Sequence, residues 1–421
     1  MKKIIFVFLF VPLSIFSQTA DTLTLDICYK LARDNYPVSK QFDMFSEANK
    51  LKIKNLNNGY LPQIYINGQA SYQSDVTQIP IHLPNITIPE IYKDQYKISL
   101  DLNQNIYDGG NIKALKKVEN ISLSSDKQNA EIELYKLKDI VNQLFFNIVL
   151  FQENEKLLKI LREDIKNKLV KVESGINNGI VLKSNADIFK AEIIKIDQQL
   201  TEISYNRLAS IKMLGDLINK DISQNSEFKI PDISTFSLQL KNNRPEINGF
   251  ALQQEKIEVL KSMTKIKTLP KISASAQAGY GRPGLNMFYT DFDKFYILAA
   301  KLNWNIWNWK QNSRERQIYE IQSKIIDTQK ETFDKNIQIS TEKELSDIKK
   351  YEELIKQDNE IIELREKIAK TASSQLENGV ITTTEYLSEL NNELQSKLNL
   401  EIHKIQLLKA KVNYLNITGN L

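Results

Sequence analysis

One short alternating stretch occurs twice in this chain, and it limits what the chain can fold into. Residues 100–110 read LDLNQNIYDGG and residues 300–310 read AKLNWNIWNWK. Four residues recur 200 positions later: Leu102, Asn103, Asn105 and Ile106. An earlier match, LPQI at 61–64 with LPKI at 269–272, lies 208 positions apart. Recurrence at a nearly constant spacing indicates a duplicated structural unit. The change from 208 to 200 means that the loop between the LPQI segment and the LDLNQNIYDGG segment is longer than its copy in the second half.

Each half carries the same four parts in the same order: a helical pattern, two alternating segments, a long helix and a last helix. We predict strands at 60–74, 95–107, 268–281 and 295–308. We predict first helices at about 22–58 and 245–267, long helices at 110–174 and 310–376, and last helices at 181–219 and 381–416. The predicted organisation is a signal peptide at 1–17, a first repeat at 18–220, a linker at 221–244 and a second repeat at 245–421.

The long segments contain no residue that forces a helix break, because proline is absent from 110 to 230 and after 283. Apolar residues recur in them every seven positions: Leu137, Leu144, Phe151, Leu158 and Ile165, and again Ile348, Ile355, Ile362 and Ala369. A sustained seven-residue repeat predicts coiled-coil packing between neighbouring helices. At about 1.5 Å per residue, such a helix forms a rod about 100 Å long.

The N-terminus has the order of a secretory signal peptide: Lys2 and Lys3, an apolar run over residues 4–16, then small or polar residues. We therefore expect an exported protein; a buried N-terminal helix is the alternative. Cys28 is the only cysteine, so no disulfide forms within the chain. Its position in a helical pattern, about ten residues past the expected cleavage point, favours a small buried side chain over a lipid anchor.

Charge and chemistry exclude several classes of protein. The 56 basic and 52 acidic side chains are nearly balanced, so no basic face for nucleic acid is indicated. The two histidines, His82 and His403, lie in different predicted elements, and no Cys/His metal set, catalytic triad or phosphate-binding loop is present. We expect no enzyme activity, no cofactor and no metal. Apart from the N-terminus, no apolar run is long enough for a transmembrane helix.

The alternating segments are consistent with membrane-spanning strands. Ile98, Leu100, Leu102 and Ile106 are expected on one face, and Lys97, Ser99, Asp101, Asn103 and Asn105 on the other. In the copy, Leu298, Ala300, Leu302, Trp304 and Ile306 oppose Ala299, Lys301, Asn303 and Asn305. Four strands are too few to close a barrel, and open edges are not tolerated in lipid. The residues therefore indicate a barrel assembled from several chains, whereas a soluble sandwich is the alternative.

Aromatic residues near the predicted strand ends suit the two interface belts of such a barrel. They are Tyr60, Tyr72, Tyr107, Tyr296, Trp304, Trp307 and Trp309.

The duplicated order of helix, LPxI strand, strand ending in YDGG, long helix, NNG turn and helix resembles the TolC-like outer-membrane efflux proteins (outer membrane factors). The resemblance covers about 18–421, including the closing stretch AKVNYLNITGNL at 410–421. It implies a mixed α and β membrane protein, in which three chains form a twelve-stranded outer-membrane barrel continued by a helical coiled-coil barrel in the periplasm. Loops 75–94 and 282–294 would face outside.

The resemblance also implies partners and sites. The turns at Asn178-Gly179 and Asn378-Gly379 would meet a periplasmic adaptor, and through it an inner-membrane pump of RND or ABC type. Ordinary helix-reversing turns are the other interpretation of these glycines. Glu385 takes the position of an acidic residue that narrows the pore entrance, and Glu389 follows one residue after the expected second acid.

The match at the gate is partial. The first half has Asn185 in place of Glu385, and Ser388 stands where a second acid is expected in some members. Leu376 and Ile381 replace the tyrosine and arginine of the family's gate network. A solvated glutamate on a helix surface is the alternative interpretation of Glu385.

The sequence thus favours a passive outer-membrane exit duct of a tripartite efflux system, which forms a homotrimer and contacts lipid. A type I protein-secretion exit duct has the same architecture and remains open. A secreted coiled-coil structural or adhesive protein is the alternative from another class, although it does not need paired amphipathic strands at fixed offsets.

Overall fold

The computed structural model describes residues 22–77, 91–231 and 241–421. The predicted signal peptide, most of the loop at 75–94 and the middle of the linker at 221–244 lie outside these ranges. In chain order the helices are α1 (Leu25–Asn35), α2 (Gln41–Asn58), α3 (Asn111–Asn177), α4 (Lys183–Ile218), α5 (Pro245–Ile266), α6 (Gln311–Glu377) and α7 (Thr383–Thr418). The strands are β1 (Gln63–Tyr72), β2 (Asp94–Tyr107), β3 (Lys271–Arg282) and β4 (Asp293–Asn303).

The duplication is visible in the helix lengths. The helices α3 and α6 each have 67 residues, and α4 and α7 each have 36. The prediction of a mixed fold in which four strands accompany long helices is confirmed. None of the helices in the described ranges combines the length and the apolar character that a membrane span requires.

Most predicted ends lie within three residues of the observed ones, but two elements differ more. The helix expected at about 22–58 is broken, because Tyr36 precedes a proline and takes an extended backbone conformation. A short 3-10 helix, Pro37–Lys40, separates α1 from α2. The strand expected to reach 308 ends at Asn303, where its partner strand begins at Lys271. Beyond that point β4 has no partner, because Pro270 has no backbone N–H to continue the ladder.

The chain divides into two compact units. The sheet unit comprises residues 40–132 and 245–334, and its four strands form one antiparallel sheet in the order β1-β2-β3-β4. The first and last pairs are the hairpins of the two repeats, and the pairing of β2 with β3 joins them. β1 and β4 are the edges of this sheet.

The helical unit comprises the described residues up to 39 together with 133–244 and 335–421. One apolar core collects residues from α1, α3, α4, α7 and the segment after α4, and Phe145 lies within it, in edge-on contact with Phe146 and Phe228. A second core near the helical turns packs Phe189 and Tyr386 among residues from α3, α4, α6 and α7. Cys28 is buried in the first core, and burial raises the pKa of its thiol to about 12.

Candidate functional site: sheet faces and helical turns

The register of the sheet separates an apolar face from a polar one. Successive pairs such as Ile66 with Leu100, Leu100 with Ala278, and Ala278 with Tyr296 align apolar side chains across all four strands. This apolar face is open: Ile66 and Leu298 each expose 75% of their surface. It consists of Ile64, Ile66, Ala70 and Tyr72, then Tyr96, Ile98, Leu100 and Leu102, then Ile272, Ala274, Ala276, Ala278 and Tyr280, then Tyr296, Leu298, Ala300 and Leu302.

The polar face is formed by the alternate residues, mostly amides, hydroxyls and charges. Its members include Asn67, Gln69 and Ser71 on β1, Lys97, Ser99, Asp101 and Asn103 on β2, and Ser275 and Gln277 on β3. The large side chain of Phe295 also lies on this face, over Gly279, where an added Cβ atom would clash with the ring. A glycine at 279 therefore leaves the space that Phe295 fills, and the ring is buried although it belongs to an edge strand.

Four tyrosines form a diagonal row across the apolar face, in which each tyrosine lies two residues further from the loop end than the one on the preceding strand. Tyr72, Tyr96, Tyr280 and Tyr296 come from one strand each, and all four are exposed. Tyr72 and Tyr296 are among the aromatic residues predicted from the sequence, whereas Tyr96 and Tyr280 are not. Both missed residues continue the period-two apolar pattern of their strands, and that pattern alone could have found them. Aromatic rows of this kind mark the edges of the lipid-facing band in membrane barrels.

The predicted aromatics at the helix end of the sheet are also exposed: Tyr60, Tyr107, Trp304, Trp307 and Trp309. A register shift between Asn105 and Tyr107 leaves Ile106 unpaired and sets Tyr107 opposite Ile272, on the apolar face. Trp304, Trp307 and Trp309 follow β4 instead of lying within it, so the predicted strand positions of Trp304 and Ile306 are wrong. The Trp304 indole donates to the Thr268 carbonyl at 3.0 Å, and Trp307 contacts Trp309 edge-on.

The strand-to-helix corners of the two repeats have the same backbone shape but different residues. Gly109 and Gly110 have φ of 74° and 87°, and the equivalent Trp309 and Lys310 have 54° and 59°. The first corner is capped by Asp108, whose carboxylate accepts from the backbone N–H groups of Gly110 at 2.8 Å and of the first turn of α3. The second corner holds non-glycine residues in a left-handed conformation, which is costly.

The turns between the long and last helices are built alike. Gly179 and Gly379 have φ of 73° and 70°. In each turn the glycine N–H bonds back three residues and the next N–H bonds back five, as in a Schellman motif. Asn178 and Asn378 precede these glycines and are exposed. The residues just beyond them are apolar and exposed: Ile180 at 79%, Leu182 at 74% and Val380 at 69%.

Glu385 forms a capping box at the start of α7. Its carboxylate accepts from the Thr382 backbone N–H at 2.7 Å and from the Thr382 hydroxyl at 2.9 Å. In return, the Thr382 hydroxyl accepts from the Glu385 backbone N–H at 3.2 Å. The first repeat lacks this arrangement, because Leu182 occupies the N-cap position and makes no side-chain cap. The hydrogen bonds from Thr382, first from its backbone N–H, lower the pKa of Glu385.

Glu385 and Glu389 line one open groove between α6 and α7, with a volume of about 540 Å³. Glu389 forms an ion pair with Arg365 at 3.2 Å, a partner that the sequence analysis did not identify. Leu376 and Ile381, which stand where the family's gate tyrosine and arginine were expected, pack against the second apolar core. The structure therefore brings the two gate candidates to the same groove, where Glu389 has Arg365 as its partner.

Lys168 of α3 reaches α6 near the turns. Its ammonium donates to Ser373 Oγ at 2.6 Å and to the Glu377 carboxylate at 2.9 Å. Hydrogen bonds from Lys168 are the main reason that the pKa of Glu377 is lowered. Asn391 of α7 similarly donates to Glu192 of α4 at 3.1 Å. The sequence alone does not predict polar contacts of this kind, because their partners lie about 200 residues apart and meet only in the folded unit.

Among the residues that the structure describes, no group of three or more His, Cys, Asp or Glu side chains is placed to hold a metal ion. His82 lies outside the described residues. His403 Nδ1 lies 2.5 Å from Asp358 Oδ2 and so joins α7 to α6.

Solved structures that match this fold include outer-membrane proteins and outer-membrane channels. The outer-membrane protein VceC from Vibrio cholerae matches with a TM-score of 0.67 and 11% identity over 94% of this chain and 96% of its own. The channel CmeC from Campylobacter jejuni matches with a TM-score of 0.65 and 17% identity over 94% of this chain and 85% of its own. The MtrE channel from Neisseria gonorrhoeae, in its open state, matches with a TM-score of 0.65 and 12% identity over 94% of this chain and 89% of its own.

No protein-family model and no curated protein matches the sequence. At these identities the structural likeness establishes the fold, and the prediction of a TolC-like fold is confirmed.

The capping box yields a prediction on Glu385. Glu385→Gln should keep the cap, because glutamine also serves at this position, whereas Glu385→Ala should lose it. Hydrogen exchange at the Thr382 amide measures the difference, with Asn185→Ala as the matched control in the uncapped turn. Because the folded pKa is depressed, the carboxylate's contribution is complete above the ordinary value of 4.5 and is lost as pH falls below it. Equal Thr382 protection in both Glu385 variants would contradict the cap.

Proposed function

We propose that this chain is a passive exit duct of the outer membrane: a homotrimeric channel that receives substrates from a periplasmic adaptor and an inner-membrane pump of RND or ABC type. The observation that carries the proposal is the four-stranded sheet, which has an exposed apolar face, a polar face and two open edges. The channel neighbours support it by their shared fold. The protein catalyses no reaction in this proposal.

The physical argument concerns closure of the sheet. A sheet whose exposed face is apolar along most of its strands is stable in lipid only when every backbone polar group is paired, which requires a closed barrel. Four strands cannot close alone, whereas three copies supply twelve, an even number within the range of known outer-membrane barrels. The apolar face then contacts outer-membrane lipid, and the polar face lines a water-filled lumen.

The orientation follows from the aromatic rows. From Ile272 to Tyr280 the apolar face spans eight residue steps, about 27 Å along the strand, which suits a lipid-facing band. The tyrosine row would lie at the outer interface and the Trp304, Trp307 and Trp309 group at the periplasmic one. The turns at Asn178-Gly179 and Asn378-Gly379 would meet the adaptor, and their exposed neighbours Ile180, Leu182 and Val380 offer apolar contact area. The predicted signal peptide would provide export.

The secreted coiled-coil alternative does not account for the sheet. A water-soluble fibre would expose Ile66, Leu298 and their neighbours to solvent, and a contiguous exposed apolar face of this kind normally marks an interface or a membrane contact. An exit duct for protein secretion would share every feature described here. The identity of the cargo would separate that role from efflux.

The proposal is tested on the purified full-length protein. We expect it to require detergent, to give a trimer on chemical crosslinking, and to form conducting pores in planar bilayers. The reason is that both edges and the apolar face are satisfied only in the lipid-embedded assembly. A protein that stays soluble and monomeric without detergent would refute the exit-duct function.

The orientation of the two faces is tested with adjacent residues of β4. Leu298→Lys places a charge on the proposed lipid face and should cost about 2–4 kcal/mol of barrel stability. Ala299→Lys places the same charge on the polar face, where water can solvate it, and should be tolerated. Assembly into outer-membrane vesicles and thermal dissociation of the trimer measure both variants. Equal behaviour of the two variants, or greater damage by Ala299→Lys, would reject this assignment of the faces.

The gate role of Glu385 is a separate part of the proposal. Three copies would place three Glu385 carboxylates around one axis at the pore entrance, where a negative ring favours cations. Glu385→Gln removes the charge but keeps the cap, so it should lower cation preference in single-channel recordings without destabilising the turn. Glu389→Gln removes the other carboxylate charge of the same groove and is the variant to compare with Glu385→Gln. Unchanged conductance and ion selectivity in Glu385→Gln would remove Glu385 from the gate.

A further inference from the structure

A hydrogen-bonded network crosses the polar face of the sheet and fixes one carboxylate near its centre. Asp101 on β2 accepts from the side-chain amide of Asn67 on β1 and, at 2.6 Å, from that of Gln277 on β3. The Gln277 amide also lies 3.3 Å from the hydroxyl of Ser99, which is buried. Both amide donors to Asp101 are neutral, so they orient the carboxylate without forming an ion pair with it.

Lys97 is attached to the same network through Gln277. Its ammonium donates to Gln277 Oε1 at 3.4 Å and lies 4.7 Å from the centre of the Phe295 ring. Among the described residues of the strands, Arg282 and Asp94 form an ion pair at the loop end. Lys97 and Asp101 are four residues apart on β2, so their Cα atoms lie about 13 Å apart along the strand. The Gln277 amide bridges their charged groups, because it accepts from the Lys97 ammonium and donates to the Asp101 carboxylate.

The remaining charges of the polar face lie toward its ends. Asp293 stands at the loop end, in the same register row as Lys97, while Lys271 and Lys301 lie toward the helix end. The central row contains Tyr65, Asp101, Gln277 and Ile297. Asp101 is therefore the charged residue of the central row, and the Lys97 ammonium reaches that row from the loop side through Gln277.

We propose that Asp101 determines the ion selectivity of the barrel lumen, that Gln277 and Asn67 position it, and that Lys97 opposes it. The inference rests on the proposed function, since the polar face becomes a lumen wall only in the closed trimer. Three Asp101 carboxylates then form a ring that attracts small cations and cationic groups of a passing substrate. The ring is preorganised, because the amide network is complete in the single chain and does not have to form when an ion arrives.

This ring is distinct from the one proposed at the pore entrance. The Glu385 carboxylate is engaged by its own helix start, whereas Asp101 is held on an open wall by groups from two other strands. Cation preference in this protein would therefore be set in the barrel as well as at the helical turns.

The experiment is a measurement of reversal potential with the full-length protein in planar bilayers under a KCl gradient. Asp101→Asn should lower the potassium-to-chloride permeability ratio about two- to threefold near 0.1 M salt, where the screening length is about 10 Å, and the effect should fade near 1 M. Lys97→Gln should shift the ratio in the opposite direction. Lys294→Gln removes a lysine charge from the apolar face of the neighbouring hairpin, opposite Tyr280, and should leave the ratio unchanged.

The outcomes separate the inference from the proposed function. Conducting trimers of Asp101→Asn with wild-type selectivity would overturn the role of Asp101 and leave the exit-duct function standing. If Asp101→Asn fails to assemble, the permeability ratio of Lys97→Gln is the deciding measurement. An unchanged ratio in Lys97→Gln would then overturn the inference. A shift in Lys294→Gln equal to that in Lys97→Gln would also overturn it, because the effect would then not come from the lumen wall. A wild-type protein without channels would overturn the proposed function itself, together with this inference.

Discussion

The unpaired edges of β1 and β4 are the constraint on which the proposed assembly depends. A sheet with an open apolar face can enter lipid only when these edges find partners. In this chain the two edges are different strands, one from each repeat, with 10 and 11 residues. β1 of one copy can therefore pair with β4 of the next, a head-to-tail contact that closes into a ring. Duplication supplies two hairpins per chain, and their junction between β2 and β3 is already made.

The same duplication shows how one backbone shape is maintained by different side chains. At the first strand-to-helix corner two glycines take the left-handed conformation and Asp108 caps the helix. At the second corner Trp309 and Lys310 hold that conformation at a cost of about 1–2 kcal/mol per residue. The Arg314 guanidinium donates to the Trp309 carbonyl at 3.1 Å, and Trp307 packs against the Trp309 ring. Local contacts thus take the place of glycine at the second corner.

The sequence was sufficient for the order and type of the elements, because long periodic segments carry a strong signal and the second copy repeats it. The end of β4 was predicted five residues too late, because a strand ends where its partner strand ends. The alternation of residues within β4 carries no information about where its partner ends. The row completed by Tyr96 and Tyr280, and the capping box of Thr382 and Glu385, were both visible in the sequence as period and spacing. The bond of Asp101 to Gln277 was not, because it depends on the register between strands 176 residues apart.

Comparison of the two repeats also bears on what a charge at a turn does. Asn185 and Glu385 occupy equivalent positions, yet only the second turn has a threonine at the N-cap to complete a capping box. A carboxylate at this position therefore has a structural role that is independent of any pore, and an alanine substitution would remove the cap and the charge together. Charge-selective roles have to be assigned with isosteric changes such as glutamate to glutamine. The same reasoning applies to Asp101, where asparagine retains the shape of the side chain and a carbonyl acceptor for the amides of the sheet while removing the charge.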